Sequence, residues 1–185
     1  AASSCFTGSS PGAANCGAEG EGPPGDGESD LVISEVMANP ETESTGEFVE
    51  IVNVGAEPVD LAGYILSDGD STDVLVAFGD GGTELAADGI AVVLDSDYDG
   101  NYLIPDSAVL LTAGKTLGSG LSVDDPVSLL LPNGVTVVAS FVHPFNPGNG
   151  VSAESIDLTL FAEASNWVAS TCNSGSSPGA PNCAA

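Results

Sequence analysis

From Leu31 onward, apolar residues fall into short runs broken by turn signals: LVISEVM, EFVEIVNV, VDLAGYILS, DVLVAF, IAVVLD, AVLLTAG, PVSLLL, VTVVASFV and SIDLTL. Each run has the length of a strand, and no segment sustains a helical period. Glu47-Phe48-Val49-Glu50-Ile51-Val52 alternates polar and apolar residues, the pattern of a strand with one face in water. Gly79-Asp80-Gly81-Gly82 and Ala87-Asp88-Gly89 read as turns, and Asn133-Gly134 between two β-branched runs predicts a type I′ hairpin. Many short strands at regular spacing predict an all-β, antiparallel sandwich or barrel. The strand period nominates Val32, Phe48, Ile51, Leu61, Ile65, Val92, Leu94, Leu110, Leu129, Val137 and Trp167 as core residues.

The two ends of the chain are copies of each other. Cys5 to Cys16 reads CFTGSSPGAANC and Cys172 to Cys183 reads CNSGSSPGAPNC, identical at nine of twelve positions with a constant offset of 167. Upstream, Ala2-Ser3 matches Ala169-Ser170. Two explanations fit such a repeat: the chain is one unit of a tandem array, or its N-terminus imitates its C-terminus to engage a neighbour. Residues 17–30 (GAEGEGPPGDGESD) combine Gly, Pro and acids, a linker composition. The expected organisation is a disulfide-closed arm over 1–16, an acidic linker over 17–30, a sandwich over 31–171 and a disulfide-closed segment over 172–185.

Of the three possible cysteine pairings, the local one is expected, Cys5–Cys16 and Cys172–Cys183. Each bridge would restrain its segment by roughly 3 kcal/mol in the chain-entropy model. A C-x10-C spacing is poor for zinc, and the chain has one His. Such bridges persist outside the cytosol. An Ala-Ala-Ser-Ser start without Met suits a processed secretory product, so a secreted, extracellular location is expected. No apolar run reaches the length of a membrane span, so no membrane insertion is expected.

The chain carries 27 acids against one Lys and no Arg, a net charge of −26. Charged residues are nevertheless 15% and hydrophobics 42%, which separates this sequence from a disordered acidic tail. The charge excludes nucleic acid as a partner and favours divalent cations.

Leu31-Val-Ile-Ser-Glu-Val-Met-Ala-Asn-Pro40, Gly46-Glu-Phe-Val-Glu-Ile-Val-Asn53 and Val59-Asp-Leu-Ala-Gly-Tyr-Ile-Leu-Ser-Asp68 stand in the order of a known family's motifs. Pro147-Gly148 with Gly150-Val-Ser152, Asn166-Trp167 and Ser177-Pro-Gly-Ala-Pro-Asn182 continue the series. Over residues 31 to about 182 the chain resembles the lamin tail domain family, of the type found in secreted bacterial proteins. The resemblance implies an immunoglobulin-like β-sandwich serving as a non-catalytic module on a bacterial surface. Where bacterial members often carry Arg, this chain has Ser155.

Asp95-Ser-Asp97-Tyr-Asp99-Gly100-Asn101-Tyr-Leu-Ile-Pro-Asp106 fits D-x-D-x-D-G-x5-D/E, the spacing of a calcium loop. Asp95, Asp97, Asp99, the Asn101 carbonyl and Asp106 are the candidate ligands, in a loop between strands. The opposing reading is a solvated Asp/Gly turn. Asp68-Gly-Asp70-Ser-Thr-Asp73 reads as an Asx-type turn. Gly114-Lys115-Thr116 lacks the first glycine of a phosphate loop. His143, the single His, has no G-x-S-x-G elbow or spare Cys to activate, so nucleophilic catalysis finds no constellation and no enzyme is expected.

These features together predict an extracellular structural protein that assembles head to tail through its N-terminal arm as a homopolymer, with calcium as a possible stabilising ion. The competing expectation is a calcium-dependent adhesion module of a larger secreted protein, with a cell-surface or matrix partner.

Overall fold

The computed structural model describes residues 30–114 and 116–185. The expectations for the arm, for the Cys5–Cys16 bridge and for most of the linker lie outside the described residues. Thirteen strands follow in order: β1 (Leu31–Met37), β2 (Phe48–Asn53), β3 (Val59–Asp60), β4 (Ile65–Ser67), β5 (Thr72–Val74), β6 (Val76–Ala77), β7 (Glu84–Leu85), β8 (Ile90–Leu94), β9 (Val109–Thr112), β10 (Pro126–Leu130), β11 (Val137–Val142), β12 (Ala153–Ser155) and β13 (Trp167–Ala169). Helical structure among the described residues is confined to three short 3-10 turns.

The strands form a seven-stranded sheet in the order β13-β12-β1-β2-β8-β9-β6, a four-stranded sheet in the order β11-β10-β4-β5, and the pair β3-β7. Pairing is antiparallel except between β8 and β9, which run parallel. That exception follows from the connection, since residues 95–108 cross from the end of β8 back to the start of β9, and parallel neighbours require a crossover of this kind. The two large sheets close over one interior. Ile33, Val49, Ile51 and Val93 of the larger sheet meet Leu66, Val127, Leu129 and Phe141 of the smaller one, with Leu61, Leu75 and Trp167 filling the margins. Fold class is as expected: an all-β, antiparallel-rich, immunoglobulin-like sandwich.

The wet face expected for β2 is absent. All six residues of β2 and all seven of β1 are buried. The reason is a covering on the far side of the seven-stranded sheet. The 95–108 crossover lays Tyr98, Tyr102, Ile104 and Ala108 over Met37, Phe48, Val92 and Leu94, forming a second apolar cluster. Tyr102 meets Phe48 edge to face at 5.2 Å and stacks on Tyr98 at 6.0 Å, and its hydroxyl donates to the Gly46 carbonyl at 2.6 Å. The C-terminal segment covers the other end of the same face. The core nominations therefore divide between two faces, with Phe48, Val92 and Leu94 on the outer one and Ile51, Leu61, Leu129 and Trp167 inside.

Three nominations need correction. Val137 is 54% exposed. Leu129 faces Ala139 while Leu130 faces Val137, so a bulge at Val138 breaks the period of two and turns Val137 outward. Ile65 and Leu110 are only half-buried, the first beside buried Leu66 and the second at the margin of the outer cluster.

Two local readings also change. The Asn133-Gly134 hairpin forms, but φ is positive at Gly134 and not at Asn133, so its turn is not type I′. Pro132 sets φ negative as the turn opens. The Asn133 carboxamide oxygen accepts from Val135 N–H and Thr136 N–H at 2.9 and 3.0 Å. The SIDLTL run is not a strand beyond Ser155. Asp157 accepts from both the backbone N–H (2.9 Å) and the hydroxyl (2.7 Å) of Thr159, which caps a 3-10 turn over Leu158–Leu160.

Truncating Phe48→Ala removes the ring that the crossover covers and is expected to cost about 3–5 kcal/mol in urea unfolding. Val137→Ser, on the bulged strand's solvent side, should stay within about 0.5 kcal/mol of the parent chain. A large loss for Val137→Ser would refute the bulged register.

Candidate docking site

Each of three adjacent strands carries one glutamate. Glu35 of β1 is the direct cross-strand partner of Glu50 in β2 and of Glu154 in β12. Opposed residues share a sheet face, so the three carboxylates form one row across β2-β1-β12. All three are at most 1% exposed. Like charges directly opposite one another are unfavourable in a sheet, and burying them is worse.

The C-terminal segment meets this demand. Cys172 and Cys183 are bridged, as expected from the sequence, with Cα atoms 5.4 Å apart. The loop they close lies on the glutamate row and points backbone N–H groups at it. Ser177 N–H donates to Glu35 Oε1 at 2.9 Å, Gly179 N–H to Glu50 Oε2 at 2.7 Å, and Ala184 N–H to Glu154 Oε2 at 3.0 Å. Hydroxyls supply the rest: Ser152 to Glu35 (2.5 Å), Ser34 to Glu50 (2.6 Å) and Ser170 to Glu154 (2.6 Å). Asn182 fixes the loop's far end by donating its amide to the carbonyls of Ser34 and Ser155, both at 2.9 Å. Hydrogen bonds to carboxylates are worth about 1.5–3 kcal/mol each, against about 1 for neutral pairs.

Glycines permit this approach. Gly179 has φ +79°, and a Cβ there would sit 2.7 Å from the Ile104 side chain and 2.9 Å from Ala108. A Cβ on Gly175 would collide with the Gly150 carbonyl oxygen.

Burial pushes the Glu35 carboxyl up to about 7 and the Glu50 carboxyl up to about 8, each raised further by a neighbouring glutamate and held back by the hydrogen bonds it accepts. One contact illustrates the consequence. Ser177 Oγ lies 3.2 Å from Glu35 Oε2 and 3.1 Å from Glu154 Oε1. A hydroxyl has one proton, so both contacts are hydrogen bonds only when one of the two carboxyls is protonated. The raised Glu35 supplies that proton near neutrality.

The calcium candidates are placed differently from one another. Asp95 is 1% exposed at the end of β8. Its Oδ1 accepts the Leu117 N–H at 2.9 Å, its Oδ2 is buried without a hydrogen-bond partner, and burial raises its carboxyl. Asp97, Asp99, Asn101 and Asp106 are exposed along the crossover, and the Asn101 amide donates to Thr45 at 3.1 Å. The structure does not gather three of these carboxylates within 4.8 Å of one another. Among the described residues, the group that does meet that spacing is Glu154 with Cys172 and Cys183, whose sulfurs are already bonded to each other.

Asp95 belongs instead to a second acidic assembly that sequence reasoning missed. The 3-10 turn over Leu117–Ser119 presents N–H groups to two acids, with Asp73 accepting from Gly118 at 2.8 Å beside Asp95 on Leu117. A backbone N–H at Leu121 supports Glu47, which is 2% exposed and pushed by burial to about 8. Asp68 forms the expected Asx turn, accepting from Asp70 and Ser71 N–H at 2.9 and 2.6 Å, but is buried against Gly118 rather than solvated. His143 packs edge-on against Phe141 at 4.5 Å, and burial lowers its pKa.

A two-sheet, immunoglobulin-like sandwich closed by a cystine loop is the class these features define. The lamin tail domain family matches residues 24–144, and the chain belongs to that family, one of immunoglobulin-like, non-enzymatic domains. No curated protein matches the chain. The match stops before β12, β13 and the cystine loop, so Glu154 and every loop donor to the row lie outside it.

The raised glutamates set the sign of the pH dependence. Between the ordinary carboxylate value of 4.5 and about 7–8, folded Glu35 and Glu50 hold protons that the unfolded chain has released. Stability is therefore greatest below about pH 4.5 with respect to these groups and is lost as pH rises through 7–8. Melting temperature should fall by at least several °C from pH 5 to pH 8.5. Because a chain of −26 also repels itself increasingly with pH, Glu35→Gln with Glu50→Gln is the control: the slope must flatten in that variant. An unchanged slope would show that the row is not its source.

Proposed function

We propose that this chain is an extracellular, non-catalytic structural protein of bacterial secreted type, whose lamin-tail sandwiches join head to tail through the N-terminal arm into a filament or tandem surface array. The observation that carries this reading is the duplicated cystine segment. Its C-terminal copy makes a dense set of hydrogen bonds to a sheet face, so a second copy of the same sequence at the other end is a second copy of a docking element. A head-to-tail contact pairs two different surfaces and propagates when its rotation does not close. The bridge between Cys172 and Cys183 is compatible with an oxidising compartment. Absence of a catalytic role is supported by family membership and by a His without a nucleophile to activate.

A second reading is a calcium-dependent adhesion or binding module of a larger secreted protein. It is favoured by one specific observation: Asp95 Oδ2 and Glu47 Oε2 are both buried without hydrogen-bond partners at the base of the acidic crossover loop. A cation drawn there by Asp95, Asp97, Asp99, Asn101 and Asp106 requires the exposed part of the loop to close.

Native protein should associate end to end, as read by light scattering and electron microscopy, and deletion of residues 1–30 should abolish the association. A truncated chain that assembles as well as the intact one would overturn the leading reading. For the second, millimolar calcium should raise the melting temperature over chelator, and Asp97→Ala should remove the increment. A shift that survives Asp97→Ala reports general screening of the charge instead.

A further inference from the structure

The residues that hold the C-terminal loop on the glutamate row are the residues that recur in the arm. Subtracting the offset of 167, Ser177, Gly179 and Asn182 correspond to Ser10, Gly12 and Asn15, while Ser170 corresponds to Ser3 and Gly175 to Gly8. Buried Ser176 and Pro178 recur as Ser9 and Pro11. The copies differ at Thr171, Asn173, Ser174 and Pro181, all exposed, and just beyond the bridge at Ala184, whose hydrogen bond to Glu154 is made by its backbone N–H. Identity is thus kept where the loop meets the sheet and lost where it faces solvent. A sequence repeat with no docking role has no reason to divide along that line.

Charge points the same way. Residues 1–17 contain no Asp, Glu, Lys or Arg side chain, although the chain as a whole carries −26. An uncharged segment rich in N–H and hydroxyl donors is what a buried row of carboxylates accepts, and it approaches an acidic surface without side-chain repulsion. Reach is sufficient, since the fourteen residues 17–30 extend to roughly 45 Å at about 3.3 Å each.

Resting on the head-to-tail reading, we propose that the Glu35–Glu50–Glu154 row is a receptor for cystine loops of this sequence, and that residues 5–16 of one chain occupy the row of a second copy in place of that copy's own residues 172–183. One row holds one loop, so assembly proceeds by exchange. The C-terminal loop follows β13 directly and holds its own row at high local concentration. Conditions that loosen it open the row to the arm of a neighbour.

The test uses the full chain carrying Gly12→Val and Gly179→Val, which blocks the docking geometry of both of its own loops and leaves the row open. Oxidised synthetic peptides of residues 1–17 and 170–185, fluorescently labelled, are titrated against it by anisotropy. Both are expected to bind, with affinities within about tenfold of each other, and Glu154→Gln in the same background should weaken both by about tenfold or more, the loss of a charged acceptor. Binding of the 170–185 peptide without the 1–17 peptide overturns the proposal. Should the double variant lose its β-sheet circular dichroism, transplantation decides. Asn173→Phe, Ser174→Thr, Pro181→Ala and Ala184→Gly in the native chain convert the C-terminal loop into the arm sequence. A melting temperature within a few degrees of the parent supports the proposal, and one as low as that of Gly179→Val overturns it. The two readings fail separately: a native chain that stays monomeric while the 1–17 peptide binds sinks the filament, and an assembling chain whose arm peptide does not bind sinks the receptor.

Discussion

Three carboxylates aligned across neighbouring strands and sealed from water are the costliest element of this sandwich, and much of its C-terminal architecture serves to make them tolerable. Water is replaced by N–H groups from a loop whose backbone must come close enough to touch a sheet. That requirement accounts for the cystine that holds the loop's shape and for the hydroxyls of Ser34, Ser152, Ser170 and Ser177 around the row, while the glycines at 175 and 179 let the loop pass against the Gly150 turn and the crossover. Removing the loop would leave the row hydrated and ionised. Removing the row would leave the loop's donors without acceptors, which is why the two are best regarded as one unit.

The same face of the seven-stranded sheet shows the two ways a protein covers a surface. Near Phe48 the crossover seals it with aromatic rings, a non-directional contact that tolerates substitution of similar volume. Near Glu35 the cystine loop seals it with hydrogen bonds, each of which fixes a particular donor opposite a particular oxygen. The first kind of cover supplies stability and the second supplies selectivity for a sequence. A domain whose family is otherwise defined by its sandwich thus carries one surface whose hydrogen bonds are matched donor by donor to the tail that covers it.

Strands were legible in the sequence because turn residues punctuate apolar runs, and the sandwich followed from their number and spacing. What periodicity misjudged were positions governed by a neighbour. Val137 turned outward because of a bulge opposite Leu129 and Leu130, which no single-strand pattern contains. Glu50 looked solvated because alternation reports only that a face differs, not what lies on it. Glu35 and Glu50 each interrupt an apolar run, and that was the available signal for the row, whereas Glu154 lies between Ala153 and Ser155 without one. Recognising it required knowing that the three strands are adjacent and in register, which is tertiary information. Asp95 was legible as the first acid of a motif, yet its partner is the Leu117 N–H, supplied from a turn 22 residues away. Motif spacing describes a loop's own ligands and is blind to donors from elsewhere.

Strand β1 lies inside its sheet, and its outer neighbour is β12. Its glutamate is covered by Ser177, 142 residues downstream. Loop-closure entropy on that scale must be met before the contact returns anything. Until β12 and the segment around Ser177 are in place, β1 therefore has an unsatisfied edge and the acids of the row stay hydrated. The acids keep that edge soluble in the interval, through the same charge whose burial later makes it hard to close. Completion of this face therefore waits on a segment far along the sequence from the strand it covers, so β1 is among the first parts of the sandwich to be made and among the last to be sealed.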